Sequence, residues 1–320
     1  MSFSVLGTGM YVPEKIVTND DLSTFLDTND EWITQRVGIK QRYVCTHETA
    51  ADLAIQAAKN ALENSGVTAD ELDLIIGATV SGETVCPSIA CYVQAGIGAK
   101  CPAYDINAAC SAFLFELETA AGFFARGFKK ILVVGAERMS RIIDWKDRST
   151  AVIFGDGAGA VVLGADSNSE YESVLHVEGG DSVIKIPQHI GNSPFFENEA
   201  EPPYTQMAGQ ETFRFAVTSI VNDIHELLEK TGHTLDEVKW IVPHQANKRI
   251  IDAAAKRLKM TPEQAKKMYV NIDHYGNTSS ASIPIALDEL NRAGKLQKGD
   301  LVLLTAFGGG LASGATLFNW

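Results

Sequence analysis

The chain has 320 residues, 45% hydrophobic and 21% charged, with a formal net charge of −13. That length supports one large core or two closely packed halves. The acidic balance argues against nucleic-acid binding, which needs a basic footprint, and no apolar run approaches the roughly 18 residues of a membrane span.

The segment Ser2–Gly9 reads as a first strand and turn. It lacks the basic and apolar regions of a secretory signal, which places the protein in the cytoplasm. A helix-like run from Ala51 to Asn64 is followed by Gly66, a C-cap residue, and then a strand. The five cysteines, at 45, 86, 91, 101 and 110, match no zinc spacing. In a reducing compartment most such residues act as small buried hydrophobes. Cys110 differs in its setting. Cys101–Ala109 is strand-like and enters a turn of small residues, after which Phe113, Leu114, Leu117, Ala120, Ala121 and Phe124 follow with helical spacing up to Gly127. Cys110 therefore falls at or just before a helix N-terminus, where the macrodipole and free N–H groups favour a thiolate and lower its pKa. Downstream, Gly155-Asp-Gly-Ala-Gly159 tempts a nucleotide reading. The strand Val161–Leu163 follows it where a dinucleotide site needs a helix, so these glycines point to tight backbone packing.

An internal repeat organises the chain. Glu63–Ile75 and Glu229–Ile241 share six identities at an offset of 166. Each follows a helix-like run, the second from Phe213 to Lys230. The apolar runs from Lys130 and from Asp300 match as well, as do the segments at Gly157 and Gly314. Two α/β halves follow, 1–166 and 167–320, with similar sheets packed around buried helices and a site between the halves. The same offset puts the Gly276–Asn277 turn in register with Cys110. The least regular stretch, Lys185–Gly209, carries Pro187, Pro194, Pro202 and Pro203, which block regular elements. A loop of this length in a compact domain reads as a lid or pocket wall.

In the second half, His244 ends the strand-like Trp240–Pro243, and a helix begins near Asn247. Asn277 lies in Gly276–Ser280, ahead of a helical pattern from Ile283 to Leu290. Singly, these are a structural histidine and a turn asparagine. Together with Cys110 they place a thiol, an imidazole and a carboxamide at three strand-to-helix junctions, a set suited to covalent chemistry on a thioester or an amide. After the strand Leu301–Thr305, Gly308, Gly309 and Gly310 permit close backbone approach, and an N–H there could serve an oxyanion.

The motifs Asn29–Ile39 around Trp32 and Arg36, Ala108–Phe113 around Cys110, Phe154–Gly159, Val242–Ile250 around His244, Gly276–Ser279 and Ala306–Gly310 resemble those of the β-ketoacyl-(acyl-carrier-protein) synthase III family, the initiating condensing enzymes of bacterial fatty-acid synthesis. The resemblance covers essentially the whole chain. It implies the thiolase fold, a duplicated α/β architecture with mixed sheets around buried helices, in a homodimer. It further implies that Cys110 takes an acyl group from acyl-CoA, with the oxyanion on the backbone N–H groups of Cys110 and Gly309. His244 and Asn277 then donate to the thioester oxygen of malonyl-acyl-carrier protein as CO₂ departs, and no cofactor is needed. By the same resemblance Trp32 and Arg36 sandwich the CoA adenine with help from Arg148, and Asn247 contacts the pantetheine arm. Arg249 lies at the tunnel mouth, while Lys248, Arg249, Lys256 and Arg257 form a basic docking face for the acidic carrier protein. Cys86, Phe307 and Met207 fall at acyl-pocket positions, Cys86 where some relatives carry a Phe that closes the partner subunit's pocket. Val37 stands where relatives often have a second Arg. Leu311-Ala312-Ser313 replaces a bulkier segment, which points to a roomier acyl pocket and leaves the primer open.

Other members of the fold fit less well. Thiolases use a second Cys near the C-terminus, absent here, and the elongating synthases carry His where Asn277 stands. An acyltransferase of secondary metabolism using a longer or branched acyl group is the alternative. The papain-like order Cys, His, Asn is also met, but that family places its Cys near the mature N-terminus.

Overall fold

The structure, a computed structural model, describes residues 2–187, 194–195 and 202–320. Every residue from Ile131 to Glu137 is buried, so this run has no solvent face and must be covered on both sides. It belongs to a five-stranded mixed sheet of β1 (Ser2–Tyr11), β2 (Leu74–Ala78), β3 (Ala103–Asp105), β4 (Lys130–Arg138) and β5 (Asp156–Asp166), in the order β1-β5-β4-β2-β3. β2 runs parallel to β3 and β4, and β5 runs antiparallel to β1 and β4. A second sheet joins β6 (Tyr171–Gly180), β7 (Trp240–Pro243), β8 (Leu301–Gly308) and β9 (Gly310–Asn319) in the order β7-β8-β9-β6, with only β7 and β8 parallel.

The longer helices are α1 (Asp30–Val37), α2 (Ala50–Ser65), α3 (Ile89–Ile97), α4 (Ala112–Ala125), α5 (Gly209–Thr231), α6 (Lys248–Arg257) and α7 (Ser282–Arg292). α4 and α7 fill the space between the sheets. Phe113, Leu117 and Phe124 of α4 and Ile283, Leu287 and Leu290 of α7 share one core with Ile131 and Val133 of β4 and Val302 and Leu304 of β8. The intervening Leu132 and Val134 face the other way, onto Ala54, Ala57, Ala58 and Ala61 of α2. α5 covers the second sheet from outside, with Ile220, Ile224 and Leu227 against Leu303 and Leu317. Each such side chain contributes about 1.5–3 kcal/mol on burial. Because the middle helices belong to both sheets, neither sheet can bury its inner face without the other. The thiolase-like fold is thus built as the sequence implied. The Gly155–Gly159 motif enters β5 and serves packing, since a Cβ on Gly159 would lie 2.7 Å from the backbone nitrogen of Ile285 in α7.

The repeat has a physical basis. α2 and α5 both end on a left-handed glycine, Gly66 at φ 67° and Gly232 at φ 76°. Each is followed by a threonine whose N–H and hydroxyl both donate to a glutamate three residues on, Thr68 to Glu71 and Thr234 to Glu237. The offset of 166 does not persist to the site. Asn107 and Asn277 each accept, through Oδ1, the N–H two residues on, from Ala109 at 3.1 Å and Ser279 at 2.8 Å. Ala109 and Ser279 then adopt matching positive φ values of 48° and 49°. The short turns Ala109–Ser111 and Ser279–Ala281 lead into α4 and α7. Asn277 therefore answers Asn107, and Ser280 answers Cys110, at an offset of 170. The expected register of Cys110 with Gly276–Asn277 is off by four residues, and the single helical turn Ile272–Tyr275 lies just ahead of Asn277.

Candidate active site

Cys110 sits in the turn before α4, and the end of β8 presses on it from the second half. A Cβ on Gly308 would come 2.8 Å from the Cys110 nitrogen and 3.2 Å from the Cys110 Cβ, so only glycine permits this approach. The sulfur lies 3.4 Å from the Ser279 hydroxyl. Burial pushes the Cys110 thiol up to about 12; the Ser279 hydroxyl opposes this, and the Glu137 carboxyl adds to it. The lowered pKa expected from the helix start is therefore reversed in the resting site. The turn does precede the helix, but no cation among the described residues offsets the burial.

His244 follows β7 and is 2% exposed. Its N–H donates to the Thr305 carbonyl of β8 at 2.8 Å, and its ring meets Phe307 edge-on at 5.4 Å. Its Nδ1 lies 2.6 Å from the Ser282 hydroxyl. Burial lowers its pKa to about 3, so the imidazole is neutral at ordinary pH. Asn277 is held by backbone bonds on both sides, its N–H to the Ile153 carbonyl at 2.9 Å and its carbonyl from the Gly155 N–H at 3.0 Å. Because Oδ1 is engaged by the Ser279 N–H, its Nδ2 is the group left to donate.

These residues meet in one cavity of about 170 Å³, lined also by Gly308, Gly309, Phe307, Met207 and Asn247, with Ile153, Phe154, Phe213 and Ile250 among its apolar walls. Ile184–Lys185 pairs with Gln206–Met207, and Ile184, Ile186, Thr205 and Met207 line the cavity, so the two ends of the Lys185–Gly209 loop contribute to the pocket wall. Its stretches 188–193 and 196–201 lie outside the described residues. Cys86 is exposed, and neither it nor Leu311-Ala312-Ser313 lines the cavity in this chain.

α1 is N-capped by Asn29, which accepts the Trp32 N–H at 2.8 Å. The guanidinium groups of Arg148 and Arg36 lie 5.1 and 5.9 Å from the Trp32 ring centre. Arg148 also pairs with Asp27 at 3.3 Å, and Val37 is buried in the core beneath. Asn247 caps α6, accepting the Arg249 N–H at 2.9 Å, and its Nδ2 reaches the Arg36 carbonyl at 3.3 Å, tying α6 to α1. Arg249 lies over Phe213 at 5.9 Å. The basic face of α6 is partly engaged: Lys248 pairs with Asp252 at 2.7 Å and Arg257 donates to Thr218 at 2.9 Å, while Lys256 is exposed. Ser279, Ser282 and Glu137 were not singled out from the sequence. The run Ser279-Ser-Ala-Ser282 directly after Asn277 was the available signal for the two serines.

Two sheets sharing buried helices, with a thiol at the foot of one of them and neutral donors opposite, define a thiolase-fold enzyme of acyl transfer. Residues 104–181 match the family described as 3-oxoacyl-[acyl-carrier-protein (ACP)] synthase III, and residues 228–320 match its C-terminal counterpart. The chain is 44% identical over 324 residues to β-ketoacyl-[acyl-carrier-protein] synthase III of Clostridium acetobutylicum, covering 100% of this chain and 99% of that protein. It is 46% identical to the enzyme of the same name from Xanthomonas campestris pv. campestris, covering 99% and 98%. The crystal structure of 3-oxoacyl-[acyl-carrier-protein] synthase III from Aquifex aeolicus VF5 matches with a TM-score of 0.91 and 44% identity over 100% of both chains. The chain belongs to the β-ketoacyl-acyl-carrier-protein synthase III family.

Proposed function

We propose that the protein joins a short acyl group from acyl-CoA to malonyl-acyl-carrier protein with loss of CO₂, giving 3-oxoacyl-acyl-carrier protein. The observation that carries this reading is the convergence of Cys110, neutral His244 and the free Nδ2 of Asn277 on one largely apolar cavity. In the first half-reaction the Cys110 sulfur attacks the thioester carbonyl while the N–H groups of Cys110 and Gly309 receive the oxyanion. The C–S bond to CoA breaks, and the thiol proton passes to the CoA sulfur, so the exchange is neutral overall. In the second, the bond between Cα and the malonyl carboxylate breaks. Its electron pair moves toward the thioester oxygen, where His244 and Asn277 donate. The carbanion attacks the acyl-Cys, the C–S bond to Cys110 breaks, and the departing thiolate takes up one proton from solvent to restore the thiol. One such donor is worth roughly 10²–10³ in rate. The steps draw on no metal or redox cofactor.

Trp32, Arg36, Arg148, Asn247 and Arg249 would hold CoA, and Lys248, Arg249, Lys256 and Arg257 would meet the acidic carrier protein, with exposed Lys256 the freest of them. β3 is an edge strand of the first sheet among the described residues, a free side of the sheet that a second copy can cover. A homodimer would also bring the exposed Cys86 to the partner's acyl pocket, alongside Phe307 and Met207. We further assign the cytoplasm as its location and residues 1–166 and 167–320 as its two halves. The test is intact mass after exposure to acetyl-, isobutyryl- and longer acyl-CoAs, followed by malonyl-carrier protein. An acyl adduct lost in Cys110→Ala, and discharged as 3-oxoacyl product, is expected. No adduct, or CO₂ release without product, would refute the reaction.

A further inference from the structure

We infer that Ser282 is a positioning residue that fixes the ring tautomer of His244, presenting Nε2–H to the cavity. This rests on the reaction proposed above and deepens it, because only that tautomer can donate to the developing enolate oxygen.

The argument is a count of protons and lone pairs. Ser282 is the first residue of α7 and is 3% exposed. Its Oγ accepts the backbone N–H of Gln245 at 3.4 Å and lies 2.6 Å from His244 Nδ1. A backbone N–H can only donate, so one lone pair of Oγ is engaged and the hydroxyl proton needs an acceptor. A serine in a helix commonly turns its hydroxyl to the carbonyl three or four residues back. Here the only acceptor within bonding distance among the described residues is Nδ1. The hydroxyl therefore donates to Nδ1, Nδ1 carries no proton, and the neutral ring carries its proton on Nε2. The opposite tautomer would set Nδ1–H against a hydroxyl whose own proton had no partner. It would also turn an Nε2 lone pair toward the oxygen that gains charge. Phe307 packs edge-on against the ring, and the backbone N–H bond from His244 to the Thr305 carbonyl anchors the main chain that carries it, which limits how far the ring can move to compensate.

The duplication separates this role from a structural one. The residue that answers Ser282 in the first half is Ala112, which opens α4 in the same way without a hydroxyl. The helix start therefore does not require one.

Nitrogen-15 NMR of protein labelled in the histidine rings, with His244→Gln to assign the signal, reads the tautomer directly. The wild-type ring is expected to show protonated Nε2 and bare Nδ1 from pH 6 to 9. In Ser282→Ala the signal moves toward the other tautomer or a mixture. Malonyl decarboxylation then falls about ten- to a hundred-fold, mostly in kcat, while acylation of Cys110 by acyl-CoA stays within about twofold. Ser282→Thr, which keeps the hydroxyl, recovers the Nε2–H signal and most of the decarboxylation rate. A wild-type ring protonated at Nδ1 overturns the inference whatever the activity. So does an unchanged decarboxylation rate in folded Ser282→Ala. Absence of condensation in the wild type would instead strike at the reaction, and the ring spectrum would still decide the tautomer.

Discussion

Gly308→Ala isolates the contact by which the second sheet presses on the thiol turn. The added Cβ would sit 2.8 Å from the Cys110 nitrogen, 3.2 Å from its Cβ and 3.2 Å from the Ser111 nitrogen. Ordinary contact begins at 3.4 Å, so the strand end and the turn must part by at least 0.6 Å. Both sides are mostly backbone, one at the end of an eight-residue strand and the other at the foot of a buried helix, so no flexible side chain can absorb the shift. Overpacking of this kind costs about 1–3 kcal/mol, and a displacement near 1 Å from reacting geometry costs up to about 10²-fold in rate. We expect Gly308→Ala to lose about 1–3 kcal/mol in urea unfolding and to acylate Cys110 about ten- to a hundred-fold more slowly. Decarboxylation, which depends on His244 and Asn277, should fall less. Stopped-flow acylation followed by intact mass measures the first, and CO₂ release the second. Wild-type acylation together with wild-type stability would refute the reasoning, because it would mean the turn and the strand end are not in register-locked contact.

Two further outcomes follow from buried ionisable groups. Alkylation of Cys110 by iodoacetamide in free enzyme should keep accelerating with pH toward about 12, since burial disfavours the thiolate; a plateau below pH 8 would show an activated thiolate at rest. Asp223 on α5 is 3% exposed, has one unpartnered oxygen among the described residues and is raised to about 6 by burial, with a hydrogen bond from Ser313 and then His176 at 3.8 Å opposing the shift. Its folded pKa exceeds its unfolded value, so its stabilising contribution is full below about pH 4 and is lost as pH rises through about 6. Asp223→Asn should therefore gain on the wild type between pH 4 and 7, by at most about 3 kcal/mol for a shift of about two units. Urea unfolding at pH 4.5 and 8 measures this, and a difference that does not change with pH would refute it.

What was legible in the sequence was local or repeated. The apolar run of β4, the glycine caps at Gly66 and Gly232 and the threonine–glutamate pairs that follow are short-range signals, and they gave two sheets of like pattern. Cys110 before a helix and Asn247 at a helix start were legible for the same reason. The register between Cys110 and Asn277 was not. The shift of four builds up between Ile241 and Asn277, where the two halves no longer resemble each other, and the single helical turn Ile272–Tyr275 there has no periodicity to betray it. The state of the thiol was not legible either. The helix start is visible in the chain, but the burial that outweighs it comes from the packed fold, in which the distant Gly308 strand end presses on the Cys110 turn. Ser282 and His244 are 38 residues apart and meet only because α7 lies against the end of β7.

A chain that contains the same asparagine-led turn twice carries an inert replica of its own reactive centre. At Cys110 the replicated backbone shows a sulfur to the cavity, whereas at Ser280 it turns a hydroxyl onto Glu137 at 2.8 Å. The conformation that displays a nucleophile is therefore an architectural inheritance common to both copies. Reactivity resides in the atom installed there and in what the opposite half sets before it. Transplanting the turn alone into another scaffold would accordingly carry over the shape and not the chemistry.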